Sequence, residues 1–129
     1  MIQKRTVGIV GAGNVGIAAA YAMFLRQTAG ELILVDKDSY RAEGEAIDLM
    51  HGQPYVGNIS VRAGGYPDLE KAQVVVIAAG SAQRPGEKRT DLLNRNVEIF
   101  RRLNDIELKG LEASAEFLRH NLDGIAGAL

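Results

Sequence analysis

Val7-Gly8-Ile9-Val10-Gly11-Ala12-Gly13-Asn14-Val15-Gly16 carries an apolar segment into a glycine turn, and Glu31-Leu32-Ile33-Leu34-Val35-Asp36 follows as a second apolar segment ending in an acid. An alanine-rich stretch of helical character joins them. Strand, Gly-x-Gly-x-x-Gly turn, helix, strand, acid is the order of a unit that holds the pyrophosphate of a dinucleotide. Thr6 to Val10 is continuously apolar rather than alternating, as in a buried parallel strand. Each glycine has its own part. Gly11 permits the tight turn, Gly13 lets the backbone approach a phosphate, and Gly16 lets the helix pack on the strand. Asn14 and Val15 supply N–H groups at the positive end of the helix dipole. A carboxylate at Asp36 can accept from both hydroxyls of an adenosine ribose and repels a 2′-phosphate, favouring NAD over NADP. Lys37 beside it works the other way.

Outward from this unit, the first helix is expected from Asn14 to about Thr28. Its inner face is read as Val15, Ala18, Ala19, Ala22 and Leu25, with Gly30 as a left-handed cap. Ser39 is the expected N-cap of a second helix reaching His51, which Gly52-Gln53-Pro54 ends. Ile59 to Ala63 reads as a third strand, Gly64-Gly65-Tyr66-Pro67 as a turn, and Asp68 to Lys71 as a brief helical turn. Val74 to Ala78 is a fourth strand, expected to be fully buried. Ala79 to Arg89 is a polar loop, and Thr90 is placed to cap a helix from Asp91 to Leu103. The predicted fold is α/β: a truncated doubly wound parallel sheet in the order 3-2-1-4, with helices on both faces. A fifth strand should follow, and no apolar run supplies one. Instead Asn104-Asp105-Ile106-Glu107 resembles a capping box, and Leu111, Ala115, Leu118, Leu122, Ile125 and Leu129 form one helical stripe. The expectation is a single domain over 1–129, Rossmann-like to 103, with a C-terminal helix over 104–129 covering the shortened sheet.

Composition removes several classes of function. Fifteen basic and sixteen acidic residues give a net charge of −1, which offers no field for nucleic acid or an anionic membrane. Hydrophobic residues make up 47%, as in a soluble globular protein, and no apolar run approaches the ~20 residues of a membrane span. With no cysteine, disulfides and thiolate metal sites are excluded. His51, at a helix end, and His120 have no partners at metal spacing, so no metal is expected. Met1 to Arg5 leads straight into a strand, unlike a secretory leader, and the expected location is the cytoplasm.

Residues 6 to about 103 resemble the N-terminal part of the lactate and malate dehydrogenase family, nearer the lactate side. The resemblance is carried by Gly11-Ala12-Gly13-Asn14-Val15-Gly16, Leu34-Val35-Asp36, Ala46-Ile47-Asp48-Leu49-Met50-His51, Val75-Val76-Ile77-Ala78-Ala79-Gly80, and Gln83 to Arg89 leading into Leu92-Leu93-Asn94-Arg95-Asn96. It implies NAD as cofactor, with Ala79 and Gly80 joining the glycine turn and Asp36 in the cofactor site. It also implies that Arg89 polarises a ketone and that Gln83 selects lactate and pyruvate. Other family features are missing from the sequence. No Asn-Pro pair ends a fifth strand, the catalytic Gly-x-His-Gly motif is absent, and the only Asp-x-x-Arg is Asp38 to Arg41, at the start of the second helix. After Leu103 the chain instead resembles the family's final segment, as if the middle had been removed. That suggests an engineered or minimised protein; recovery of a longer parent chain would refute it.

Three readings follow. The preferred one is binding of NAD(H), or another ADP-containing nucleotide, without complete catalytic machinery. Ketone reduction needs a proton donor and a carboxylate clamp besides Arg89, so turnover is not expected. The alternatives are residual L-lactate dehydrogenase activity and a structural scaffold with no ligand. Flavin and S-adenosylmethionine proteins use related turns, so the ligand is less fixed than the site. An apolar fourth strand at a sheet edge needs cover, either from the last helix or from a second copy in a homodimer.

Overall fold

The computed structural model describes residues 5–105, and the expected C-terminal helix lies outside them. The chain divides into two compact units, Met1–Ala79 and Gly80–Leu129. The first unit holds a four-stranded parallel sheet in the order β3-β2-β1-β4, as predicted. Its strands are β1 (Thr6–Val10), β2 (Glu31–Val35), β3 (Ser60–Ala63) and β4 (Val74–Ile77). Its helices are α1 (Asn14–Arg26), α2 (Ser39–His51) and the short α3 (Gln53–Val56), followed by a 3₁₀ segment, Tyr66–Lys71. The second unit contains α4 (Arg89–Asp105).

Strand alternation sorts the core into two layers. Val7, Ile9, Leu32 and Leu34 point to one face and form a buried cluster with Ala20 and Phe24 of α1 and with Ala42, Ala46 and Leu49 of α2. On the other face Leu69 of the 3₁₀ segment, fully buried, lies over Gly8. Both faces are therefore covered, which is why β1 and β2 read as unbroken apolar runs.

The inner face of α1 differs from expectation. The helix buries Gly16, Ala20 and Phe24, while Val15 and Leu25 are 73% and 51% exposed and Ala18 and Ala22 are exposed too. A stretch this rich in alanine offers several apolar faces, and one contact chooses among them. A Cβ on Gly16 would overlap the carbonyl oxygen of Gly11. Only Gly16 can face the turn, and residues four and eight places later follow it inward.

Three caps also move. Gln27, not Gly30, takes the left-handed conformation after α1, with φ of 50°. The Gln27 N–H donates to the Phe24 carbonyl and the Thr28 N–H to that of Met23, and the Gln27 side chain donates to the Val56 carbonyl. Gly30 is needed elsewhere, since its N–H donates to the Arg5 carbonyl as β2 begins. Asp38 rather than Ser39 caps α2, its carboxylate accepting from the Arg41 N–H at 3.1 Å. The α4 helix starts at Arg89, ahead of Thr90, because the Lys88 carbonyl already accepts from the Asp91 and Leu92 N–H groups.

β4 is not the fully buried strand that its sequence suggests. Val74 is 54% exposed and the other three residues are half-buried. The strand pairs only with β1 among the described residues. Apolar composition reports that a strand's faces need cover and is silent about its edge.

Arg62 of β3 bridges Glu31 at 2.9 Å and Asp68 at 3.2 Å, tying the 3₁₀ segment to the sheet. Asp68 also accepts from the Gly65 N–H, and that bond, followed by Arg62, lowers its carboxyl pKa below the ordinary value of 3.8. A carboxyl depressed by folding adds stability that is complete above its unfolded pKa and is lost as pH falls through the folded one. Acid titration should therefore destabilise the native protein more than Asp68→Asn below about pH 4. At neutral pH the substitution should cost no more than about 1 kcal/mol, because these side chains are exposed. Parallel acid-unfolding curves for the two proteins would refute this.

Candidate functional site

β1 ends in a turn whose geometry only glycine meets. Gly11 has φ of 106°, and a Cβ there would come within 2.7 Å of the Ala78 carbonyl carbon and the Ala79 nitrogen. The turn is anchored from β2, with the Gly11 N–H donating to the Val35 carbonyl at 2.8 Å. α1 begins immediately after it. Its cap residue is Gly13, which has no side chain to accept from the first-turn N–H groups of Asn14, Val15 and Gly16. Asn14 and Val15 are exposed, and a Cβ on Gly13 would meet nothing within 4 Å. The turn therefore presents open donors at the positive end of a 13-residue helix.

Asp36 is turned towards this socket. Its Oδ2 accepts from the Ala12 N–H at 2.7 Å and its Oδ1 from the Asp38 N–H at 2.9 Å. Each oxygen keeps a further lone pair for an outside donor, and the residue is half-exposed. The first unit thus brings together Gly11, Gly13, Asn14, Val15, Gly16, Asp36 and Ala79. Gly80 opens the second unit, beside Asn96.

Sequence reading missed Tyr66. Its half-buried ring sits at the start of the 3₁₀ segment, and burial, then the negative charge of Asp36, raise its phenol pKa above 10.0. The signal was faint: one aromatic residue in a Gly-Gly-Tyr-Pro turn, thirty positions from the carboxylate whose charge it feels.

Gln83 and Arg89 lie in the second unit. The Gln83 side-chain amide donates to the Glu87 carbonyl at 2.8 Å, so it is bound within its own loop. Arg89 is exposed at the first position of α4. His51 ends α2 and lines an open groove of about 540 Å³ with Glu43, Ala46, Ile47, Met50 and Val61. None of the groove's lining residues belongs to the glycine turn. His120 lies outside the described residues.

Comparison with known proteins agrees with this geometry. The family model for the lactate/malate dehydrogenase NAD-binding domain matches residues 5–114. An L-lactate dehydrogenase of Salinibacter ruber is 60% identical over 104 residues, covering 80% of this chain and 33% of its own. A lactate dehydrogenase from a Medee basin deep-sea metagenome library superposes with a TM-score of 0.77 at 43% identity, over 84% of this chain and 35% of that one. A malate dehydrogenase of Archaeoglobus fulgidus, solved in complex with NADH, gives 0.72 at 34% identity, over 78% and 35%. The chain spans about a third of the length of the curated relatives it matches.

Proposed function

The chain belongs to the lactate/malate dehydrogenase family through its NAD-binding domain, and from that premise we propose that it binds NAD(H) through the ADP portion, without complete catalytic machinery. The observation that carries this reading is the bond from the Ala12 N–H to Asp36 Oδ2. It sets a carboxylate beside a row of open helix-start donors, the pairing that a ribose next to a pyrophosphate calls for. In this reading Gly11, Gly13 and Gly16 shape the phosphate socket, and the Asn14 and Val15 N–H groups hold the charge. Asp36 accepts from the ribose hydroxyls, while Ala79 lines the approach. NAD is favoured over NADP, because Asp36 would repel a 2′-phosphate.

Within these 129 residues the nicotinamide end has fewer groups to meet. The sequence supplies neither the Gly-x-His-Gly proton donor nor a correctly placed carboxylate clamp. Losing two hydrogen bonds at ~1 kcal/mol each would weaken NAD binding by roughly 30-fold relative to a full-length dehydrogenase. ADP should then bind within a few-fold of NAD. Calorimetric titration with NAD, NADP and ADP, alongside a pyruvate-dependent NADH oxidation assay, tests this. Binding in the order NAD ≈ ADP > NADP with no turnover is expected. No heat with any nucleotide would leave a structural scaffold. Turnover abolished by Arg89→Ala would establish a residual lactate dehydrogenase. The edge of β4, which pairs with no further strand among the described residues, also supports pairing of two copies, which sedimentation would detect.

A further inference from the structure

The loop leading into α4 is bonded far more densely than a solvated connection requires. The Arg84 N–H donates to Glu87 Oε2 at 2.8 Å, and the Glu87 N–H donates back to the Arg84 carbonyl at 3.1 Å. Gly86, with φ of 78°, turns the chain between them, and the Gln83 side chain closes a second bond onto the Glu87 carbonyl. The result is a ring from Gln83 to Glu87. Two residues of α4 grip it. Arg95 donates from Nε to Glu87 Oε1 at 2.8 Å, from Nη2 to Oε2 at 2.6 Å, and from Nη2 to the Ala82 carbonyl at 3.1 Å. Asn96 Oδ1 accepts from the Ser81 N–H at 2.9 Å and, more distantly, from its hydroxyl. The Glu87 side chain is only 12% exposed, and the fork of Arg95 meets both its oxygens. A two-bonded pair of this kind is far more specific than a surface contact.

We infer that Arg95 and Asn96 are positioning residues that hold the Ser81–Glu87 loop in one preset shape, with the exposed Gln83 side chain folded back onto the Glu87 carbonyl as its brace. One N–H of the Gln83 amide is therefore committed. To present that N–H to any ligand it must first release the Glu87 carbonyl. Glu87 is the hub, and its carboxyl pKa is lowered first by the Arg84 N–H and then by Arg95. The charges facing it, Arg84 and Arg95, are both positive, so the ring stays closed at neutral pH and opens only in acid. Lys88 and Arg89 follow the ring as exposed cations.

Amide hydrogen exchange by NMR on the full chain tests the inference. At neutral pH the Ser81, Arg84 and Glu87 amides should exchange at least about ten-fold more slowly than the exposed Ala82 amide. Glu87→Ala and Arg95→Ala should each remove the protection of Arg84, and Asn96→Ala that of Ser81 alone, while the Ile33 and Leu34 amides of β2 stay protected. Arg95→Lys, with a single point of contact, should restore only part of it. Lowering the pH should release Arg84 in the native protein before β2 opens, and should change nothing further in Glu87→Ala. Native Arg84 and Ser81 amides as fast as Ala82 would overturn the inference. So would Arg84 protection that survives Glu87→Ala with the sheet intact. Should a substitution unfold the sheet, the acid titration of the native protein decides. Arg84 released ahead of Ile33 supports the preset loop, and simultaneous release overturns it.

Discussion

Replacing Gly16 with alanine should lower folding stability by about 3 kcal/mol, more than a hundredfold in the folded-to-unfolded ratio. Helix propensity argues the opposite sign, since alanine is favoured over glycine by about 1 kcal/mol inside a helix. The close approach decides. The added methyl would overlap the backbone carbonyl oxygen of Gly11, which cannot swing aside as a flexible side chain could. α1 would have to back away, loosening Ala20 and Phe24 from the cluster they share with β1 and β2. Gly13→Ala is the control. Its φ is −79° and its new methyl meets nothing within 4 Å, so stability should shift by no more than about 0.5 kcal/mol. Nucleotide affinity should fall by about ten-fold, because the methyl enters the space a phosphate would fill. Urea unfolding measures the first effect at constant m-value, and calorimetry the second. A Gly16→Ala protein as stable as the native one would refute the packing argument.

Asp36→Ala should weaken binding of NAD and ADP by about a hundredfold or more, from two lost bonds to a charged acceptor at ~1.5 kcal/mol or more each. It should also cost about 1–2 kcal/mol of stability, since the nearly fully buried Ala12 loses the acceptor of its N–H. The two losses are separable. Asp36→Asn keeps an acceptor of the same shape for Ala12 while removing the charge. It should leave stability close to native and raise the NADP-to-NAD affinity ratio by about ten-fold, as repulsion of the 2′-phosphate disappears. An unchanged ratio would show that Asp36 does not face the ribose.

How much of this was legible follows from how local each signal is. The β1–turn–α1–β2 unit could be read directly, because glycine spacing and unbroken apolar runs report conditions met within a few residues. The strand order followed from right-handed crossovers. The phase of α1 could not be read. Val15, Ala18 and Ala22 are as apolar as Ala20, and a backbone oxygen outside the helix made the choice. Gln27 and Asp38 took capping roles assigned to Gly30 and Ser39, because neighbouring strands fixed where each helix had to stop or start. Around the site, the glycines and Asp36 were legible as a motif. Tyr66 was not, and neither was the grip of Arg95 and Asn96 on the loop. Both depend on which distant elements the chain brings side by side.

The tie between Asp36 and Ala12 is made entirely from the protein's own atoms. A pocket that must first rearrange shows a capture rate that levels off at high ligand concentration. This one should instead fill in a single bimolecular event, its observed rate climbing linearly with concentration in stopped-flow. Adenine nucleotides would then arrive at similar speeds and differ in how long they stay.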